Sequence, residues 1–398
     1  MFLLRFVVLV SLAAIVVLSC GISTWSGEVE TARARKFIDA HTARMQPLEI
    51  AANKAWWDAN LTGKDADFEI KKKAQNQIDT ALSNPDQFKE VKAIKDAGGI
   101  DDPILARAID VVYLAYLEKQ VDSKLLEAIV SKSNDVEKKF NAYRAVVDGK
   151  ELTDNEVRKV LKTSKNSDRR KEVWEASKAV GKVLVDDLKT LIKLRNEAAT
   201  KLGFKNFHAL QLYLSEQDGE SLLKLFDELD ELTREPFRAA KAEIDALLAK
   251  DYEVAVDALM PWHYHDPFFQ ETPAVFEASL DAPYANADLV RISAQFYAGI
   301  GLPIDKVITR SDFFERKGKS PHAFCTDINR EGDVRVLANV VANEQWMSTL
   351  LHEFGHAVYS SLYIPREVPY VLRSEAHILT TEGVAMMFER MAKKRAWL

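Results

Sequence analysis

The chain has 398 residues, 47% apolar and 29% charged, which permits a large buried core and excludes a disordered polymer. Its formal net charge is −6, and Lys and Arg are spread along helix-like segments rather than gathered with aromatics, which argues against a nucleic-acid partner. Glycine (15) and proline (12) are sparse, no linker-like stretch interrupts the body and no period repeats, so residues 28–398 are expected to form one mainly α domain.

The N-terminal "MFLLRFVVLVSLAAIVVLSCG" places Arg5 ahead of an apolar run from Phe6 to Leu18, interrupted by Ser11 and followed by Ser19 and Cys20. A run of 13 is short for a membrane span and suits a signal-peptide core. A small residue before a cysteine at its end matches the bacterial lipobox, where the cysteine is lipidated and becomes the mature N-terminus. Residues 1–20 are therefore expected to be an export signal, and the chain to sit in the periplasm or cell envelope, membrane-anchored by lipid on Cys20. With Cys20 so used, Cys325 is the remaining thiol; no intramolecular disulfide is expected, and Cys325 is read as a small core residue.

From about Glu28 to Ala258 the hydrophobic period is helical almost throughout. "DDPILARAIDVVYLAYLEKQ" reads as a helix. "RKEVWEASKAVGKVLVDDLKTLIKLRNEAATKLGF" reads as a long one, with Gly203 as its C-cap. Thr153 and Glu156 have capping-box spacing. In "ESLLKLFDELDELTREPF", Leu222, Leu225, Phe226, Leu229 and Leu232 recur at three and four residues and are read as a core stripe. Charged runs such as "EIKKKAQNQ" and "SDRRKEVWE" are read as solvated helix faces.

The helical pattern breaks at "MPWHYHDPFFQETP". His263 and His265, two apart, would share a strand face, but no third ligand stands in register, so both are read as packed, hydrogen-bonded loop residues. A second break spans Gly318–Val340, where "HAFCTD" and "VRVLANV" are rich in strand formers and "INREGD" is turn-like. This predicts a hairpin just ahead of the next helix. A small sheet in that place can offer an unpaired edge to an extended peptide.

That next helix carries "LLHEFGHAVY". His352 and His356, four apart, stack on one helix face and can reach a single ion, while Glu353 projects beside the ion's open position. There it can take a proton from water and pass it to a leaving amine. A metal would also satisfy groups that are costly to bury among Leu350, Leu351, Phe354, Ala357 and Val358. Such a site needs a third protein ligand. Downstream, "YVLRSEAHILTTEGVAMMFERM" offers Glu375, His377 and Glu382, which follow His356 by 19, 21 and 26 residues. Glu382 is preferred because Glu389, seven residues on, shares its helix face and could hydrogen-bond a metal-bound histidine. Glu375 is the alternative, and His377 is expected to pack between the helices or line the cleft.

"GKSPHAFCTDI", "LLHEFGHAVY" and "TTEGVAMMFE", in this order, resemble the glutamate-liganded HExxH peptidases of the angiotensin-converting-enzyme type and their relatives, thimet oligopeptidase and oligoendopeptidase F. "RKFIDAHTARMQPLEIAANKAWWDANLTG" and "DLKTLIKLRNEAATKLGFKNFHAL" are similar to the N-terminal helices of that family, so the resemblance runs from about residue 29 onward. It implies a large, helical, two-lobed ellipsoid with a cleft that admits short peptides. It also implies one Zn2+ per chain on His352, His356 and Glu382, Glu353 as general base, and His322 and Ala323 in contact with substrate. The activity it implies is removal of C-terminal dipeptides, with oligoendopeptidase cleavage as the alternative and no obligate protein partner. In these enzymes a histidine and tyrosines that stabilise the oxyanion come from later helices, whereas this sequence ends 16 residues after Glu382. The resemblance therefore also implies a C-terminally incomplete domain, and with it a third alternative, a non-catalytic tethered protein keeping a relic metal site.

Overall fold

The computed structural model describes the backbone of residues 3–273, 275 and 279–397, and side chains within these from Gly27 onward. The side chains of Arg5, Phe6–Leu18 and Cys20, on which the export reading rests, lie outside the described ones. Among the described residues no helix is long and apolar enough to cross a membrane.

The first half is helix after helix: α1 (Leu3–Thr62), α2 (Asp65–Leu82), α3 (Pro85–Ala97), α4 (Pro103–Glu118) and α5 (Ser123–Ala142). Their starts follow from local chemistry. The side chains of Asn84, Asp102 and Asp122 accept hydrogen bonds from first-turn N–H groups, and α3 and α4 open on proline, whose missing N–H costs nothing there. Ala34, Phe37, Ile38 and Met45 of α1 join Val91, Ile94, Leu105, Ile109, Val112 and Tyr116 in one core, which Tyr370 and Val371 also enter.

Next comes a short hairpin, β1 (Ala145–Val147) and β2 (Lys150–Leu152), inside a region whose period reads as helical. Asp148 and Gly149 both take positive φ, 54° and 72°, as a tight two-residue hairpin turn requires. The Asp-Gly pair is the local signal that the helical period obscured.

In α6 (Asp154–Thr163) the capping box of Thr153 and Glu156 is formed. The expected long helix is two, α7 (Ser167–Lys178) and α8 (Val180–Lys201), parted at Ala179. They serve different neighbours: α7 packs on α6 and β1, and α8 packs on α5. Gly181, a poor helix former, sits just past the junction. Gly203, with φ 88°, ends α8 where the Phe204 N–H bonds the Ala199 carbonyl and the Gly203 N–H that of Thr200. That pairing is a Schellman cap.

After α9 (Phe207–Leu214) runs α10 (Gly219–Tyr252), and here the sequence expectation fails. Its apolar stripe is not core: Leu225, Phe226, Leu229 and Leu232 are all exposed, Leu232 at 74%. The following loops hold both imidazoles as packed residues. The Met260 N–H donates to His263 Nδ1 at 2.8 Å and Ser167 Oγ meets His263 Nε2 at 2.8 Å, while Tyr252 Oη meets His265 Nε2 at 3.2 Å.

The C-terminal part comprises α11 (Leu289–Gly299), α12 (Asp305–Ile308), β3 (Phe324–Asp327), β4 (Val334–Leu337), α13 (Glu344–Tyr359) and α14 (Ile378–Glu389). β3 and β4 pair antiparallel, Phe324 opposite Leu337 and Asp327 opposite Val334, in the expected hairpin. α13 is the spine of a second core, in which Met347, Leu350, Leu351, Phe354 and Ala357 pack with Tyr297, Phe313, Val336 and Phe388.

Candidate metal centre

Three constraints aim the site. The run into β3 crosses the end of α1 at two glycines of positive φ: a Cβ on Gly63 would lie 2.2 Å from the Gly318 carbonyl oxygen, and one on Gly318 would lie 2.5 Å from that of Thr62. Lys319, fully buried, anchors the same run by donating to Asp312 Oδ1 at 2.6 Å and to the carbonyls of Asp312, Phe314 and Ala338. From α1, Asn53 donates to the carbonyls of Asp327 and Ile328 at 3.2 Å, and Trp56 packs on Phe324. β3 is thus fixed between α1 and α13, and among the described residues its outer edge carries no further strand.

The third constraint is Gly355, inside the HExxH motif. A Cβ there would come 2.8 Å from Ala385 Cα and 3.2 Å from the Phe388 ring. α13 and α14 therefore approach backbone to backbone, and that approach carries Glu382 and Glu389, which flank Ala385 on the same face of α14, up to the histidines.

His352 Nε2 lies 3.1 Å from His356 Nε2 and 3.4 Å from Glu382 Oε2, and His356 Nε2 lies 3.8 Å from Glu382 Oε1. All three ligand atoms fall within 4.8 Å of one another. Atoms bound at about 2.0–2.1 Å around a tetrahedral centre stand roughly 3.3–3.4 Å apart, so this triangle fits a zinc-sized ion. The outer nitrogens are also engaged: His352 Nδ1 is 3.0 Å from Glu389 Oε2 and His356 Nδ1 is 2.7 Å from Thr381 Oγ1. The bond to His352 holds Glu389 below the ordinary carboxyl range, so its ionised form accepts from Nδ1 and leaves the Nε2 lone pair inward. His356 can do the same through Thr381. Two inward lone pairs beside a carboxylate repel one another unless a cation lies between them.

Charges follow the same geometry. Burial alone would lower His352, but its bond to Glu389 and the carboxylates of Glu353, Glu389 and Glu382 outweigh that and raise it. Burial and the neighbouring His352 lower His356. Glu353 is buried beside β3, and burial pushes it up to about 7 against the pull of His352 and a backbone hydrogen bond from Cys325.

Around these residues lies a cavity of about 550 Å³, walled by Ala323 and β3, by the two histidines and Glu353, and by Glu375 and Glu382. One peptide-sized space is thus faced by a metal-competent triad, a buried carboxylate and a strand edge. The family model of the angiotensin-converting enzyme peptidases matches residues 28–237, more than half the chain. The chain belongs to the angiotensin-converting enzyme family of peptidases. The match covers α1 from Glu28 into α10 and ends ahead of the HExxH helix. No curated protein matches the chain significantly.

In this peptidase-family chain the other candidate residues are dispersed. Ala323 lines the cavity, whereas His322 stacks on Phe140 at 5.3 Å and faces a separate, smaller cavity with Phe268. Glu375 lies in the cavity wall outside the ligand triangle. His377 is the N-cap of α14, its Nδ1 accepting from the Leu379 N–H at 3.0 Å, and it does not join the triad. Cys325 is half-buried: it packs against the second core, as expected, and also contributes to the cavity wall. Sequence reasoning missed Thr381, Asn53 and Arg330. Thr381 was detectable as the neighbour of Glu382. Asn53 and Arg330 reach the cavity through tertiary contacts alone.

Proposed function

We propose that this chain is a zinc-dependent peptidase that hydrolyses short peptides by removing C-terminal dipeptides. The observation carrying the reading is the convergence of His352, His356 and Glu382 on one point next to the buried carboxylate of Glu353. His352, His356 and Glu382 would hold the zinc, with Glu389 and Thr381 orienting the two rings. When bound, the ion supplies Lewis-acid activation of water and of the scissile carbonyl. Glu353, with its affinity for a proton poised near neutrality, takes one from the attacking water and returns it to the leaving amine. The open edge of β3 holds the substrate backbone in extended form by N–H and C=O pairing. Export and lipid attachment at Cys20 are part of the proposal and rest on the N-terminal sequence; mass spectrometry of the mature N-terminus tests them.

The decisive experiment compares the parent chain with Glu353→Gln on a peptide mixture, with and without chelator. Cleavage in the parent that chelator abolishes, and its loss in Glu353→Gln at unchanged zinc stoichiometry, is the expected result. Stoichiometric zinc without chelator-sensitive cleavage would instead establish a relic site, and unchanged turnover in Glu353→Gln would remove the base assignment. Glu382→Ala should lose the metal while Glu375→Ala keeps it. Amidating the peptide C-terminus should block dipeptide removal and leave endo-cleavage intact.

A further inference from the structure

A second cavity, of about 320 Å³, is walled at one end by Trp56, whose ring packs at 4.3 Å on Phe324 in the wall of the catalytic one. Its floor is α5, which packs on both α2 and α8. Leu126, Ile129, Val130, Ser133, Asn134 and Glu137 recur at three and four residues along α5, so one face of that helix looks into the space. Within that face Asn134 is only 4% exposed, and its amide oxygen has no hydrogen-bond partner. Buried amides nearby are paired: Asn60 donates to Glu137 and to the Trp56 carbonyl and accepts from Asn141. Of these three, Asn134 is the one that faces the space and the one left unpaired. From α8, Arg195 reaches the same space. Its guanidinium stacks on Phe207, 5.0 Å from the ring, and its hydrogen bond to Ser133 Oγ is long, at 3.5 Å. The other cations of the wall are matched: Lys71 pairs with Glu137, Lys72 with Glu69, and Lys119 with Asp79 and Glu118. Among the described residues Arg195 has no carboxylate within ion-pair reach, and burial holds it below its ordinary value against the weaker pull of Glu118.

We propose that this cavity binds a small zwitterion with an apolar side chain, a free amino acid or a dipeptide. Arg195 takes the carboxylate, Asn134 accepts from the ammonium, and Leu126, Ile129, Val130 and Leu210 receive the side chain. The three features select the class together. A purely apolar ligand would leave both polar groups unpaired, and a fully ionised inorganic anion would bring the Asn134 oxygen no donor. Dipeptides are also what the proposed activity releases, but the site is defined by its own residues, and its test requires no turnover.

Calorimetric titration of the full-length chain with leucine and with glycyl-leucine tests this. At least one of the two should bind, and which of them binds more tightly identifies the occupant. N-acetylleucinamide, which keeps the side chain and lacks both charges, should not bind. Arg195→Gln and Asn134→Leu should each raise the dissociation constant at least about tenfold, because each removes one of the two polar anchors. Asn134→Leu should do so with an unchanged or higher melting temperature, since it replaces an unpaired buried amide by an apolar group of similar size; an amide needed only for the fold would lower it. His352→Ala with His356→Ala should leave the affinity unchanged, which separates this site from the catalytic cavity and from zinc. A chain that takes up neither zwitterion overturns the proposal and leaves ordered water as the partner of Asn134. Binding that both cavity substitutions leave intact, or that the histidine substitutions abolish, overturns it as well.

Discussion

Glu353 concentrates the tension in this site: a carboxyl buried beside two other acids, raised to about 7, next to an imidazole raised by the same neighbours. In an unfolded chain the group would titrate near about 4.3. At lower pH both states are protonated and no stability is lost. As pH rises toward 7 the unfolded chain releases its proton first, so the metal-free protein loses stability through that window and does not regain it above. Denaturant titrations in chelator should therefore find Glu353→Gln more stable than the parent at pH 8, by up to about 3 kcal/mol, with the gain vanishing by about pH 4. Glu389 is the second test at this scale. Its bond to His352 Nδ1 fixes that ring's tautomer, so Glu389→Gln should weaken zinc binding roughly 10- to 100-fold in competition with a chromogenic chelator while leaving the fold intact.

At the scale of the element, the α13–α14 contact matters most, because the residues proposed to hold the metal lie on both sides of it. Gly355 sets its spacing. Gly355→Ala improves helix propensity but forces a Cβ to 2.8 Å from the α14 backbone. Overpacking of this kind costs about 1–3 kcal/mol and would displace Glu382, so the variant should unfold at lower temperature and bind zinc weakly even when folded. A better helix former that binds metal worse would separate tertiary fit from local propensity. α10 teaches the converse. Its apolar period predicts a buried stripe, yet periodicity reports only that a helix has a face to cover and cannot say what covers it. The break at Ala179 likewise depends on packing against neighbours that a local window does not contain, whereas the hairpin at Asp148 and Gly149 had a local signal that the helical period obscured.

For the molecule as a whole, one ion would tie together parts distant in sequence. The histidines stand on α13, the glutamate on α14, and the cavity wall on β3, itself fixed to α1 by Asn53. A ligand that binds only the folded state stabilises it by mass action, about 4 kcal/mol at a thousandfold excess over its dissociation constant. Thermal melts should thus show the parent gaining several degrees on adding zinc, His352→Ala with His356→Ala gaining none, and chelator reversing the gain.

The sequence by itself determined the mainly α class, the capping box at Thr153, the hairpin before the motif helix and the pairing of His352 with His356. All of these are encoded within a few residues, where helix pitch, strand alternation and capping act. The sequence preferred Glu382 over Glu375 and His377 through its spacing to Glu389, but bringing that carboxylate to the histidines is decided by tertiary structure, because it depends on how closely two helices approach, and here a missing side chain at Gly355 permits that approach. The same reason placed Cys325 in the cavity wall, turned His322 toward Phe140 and left the α10 stripe uncovered: each is decided by what the rest of the chain puts opposite it.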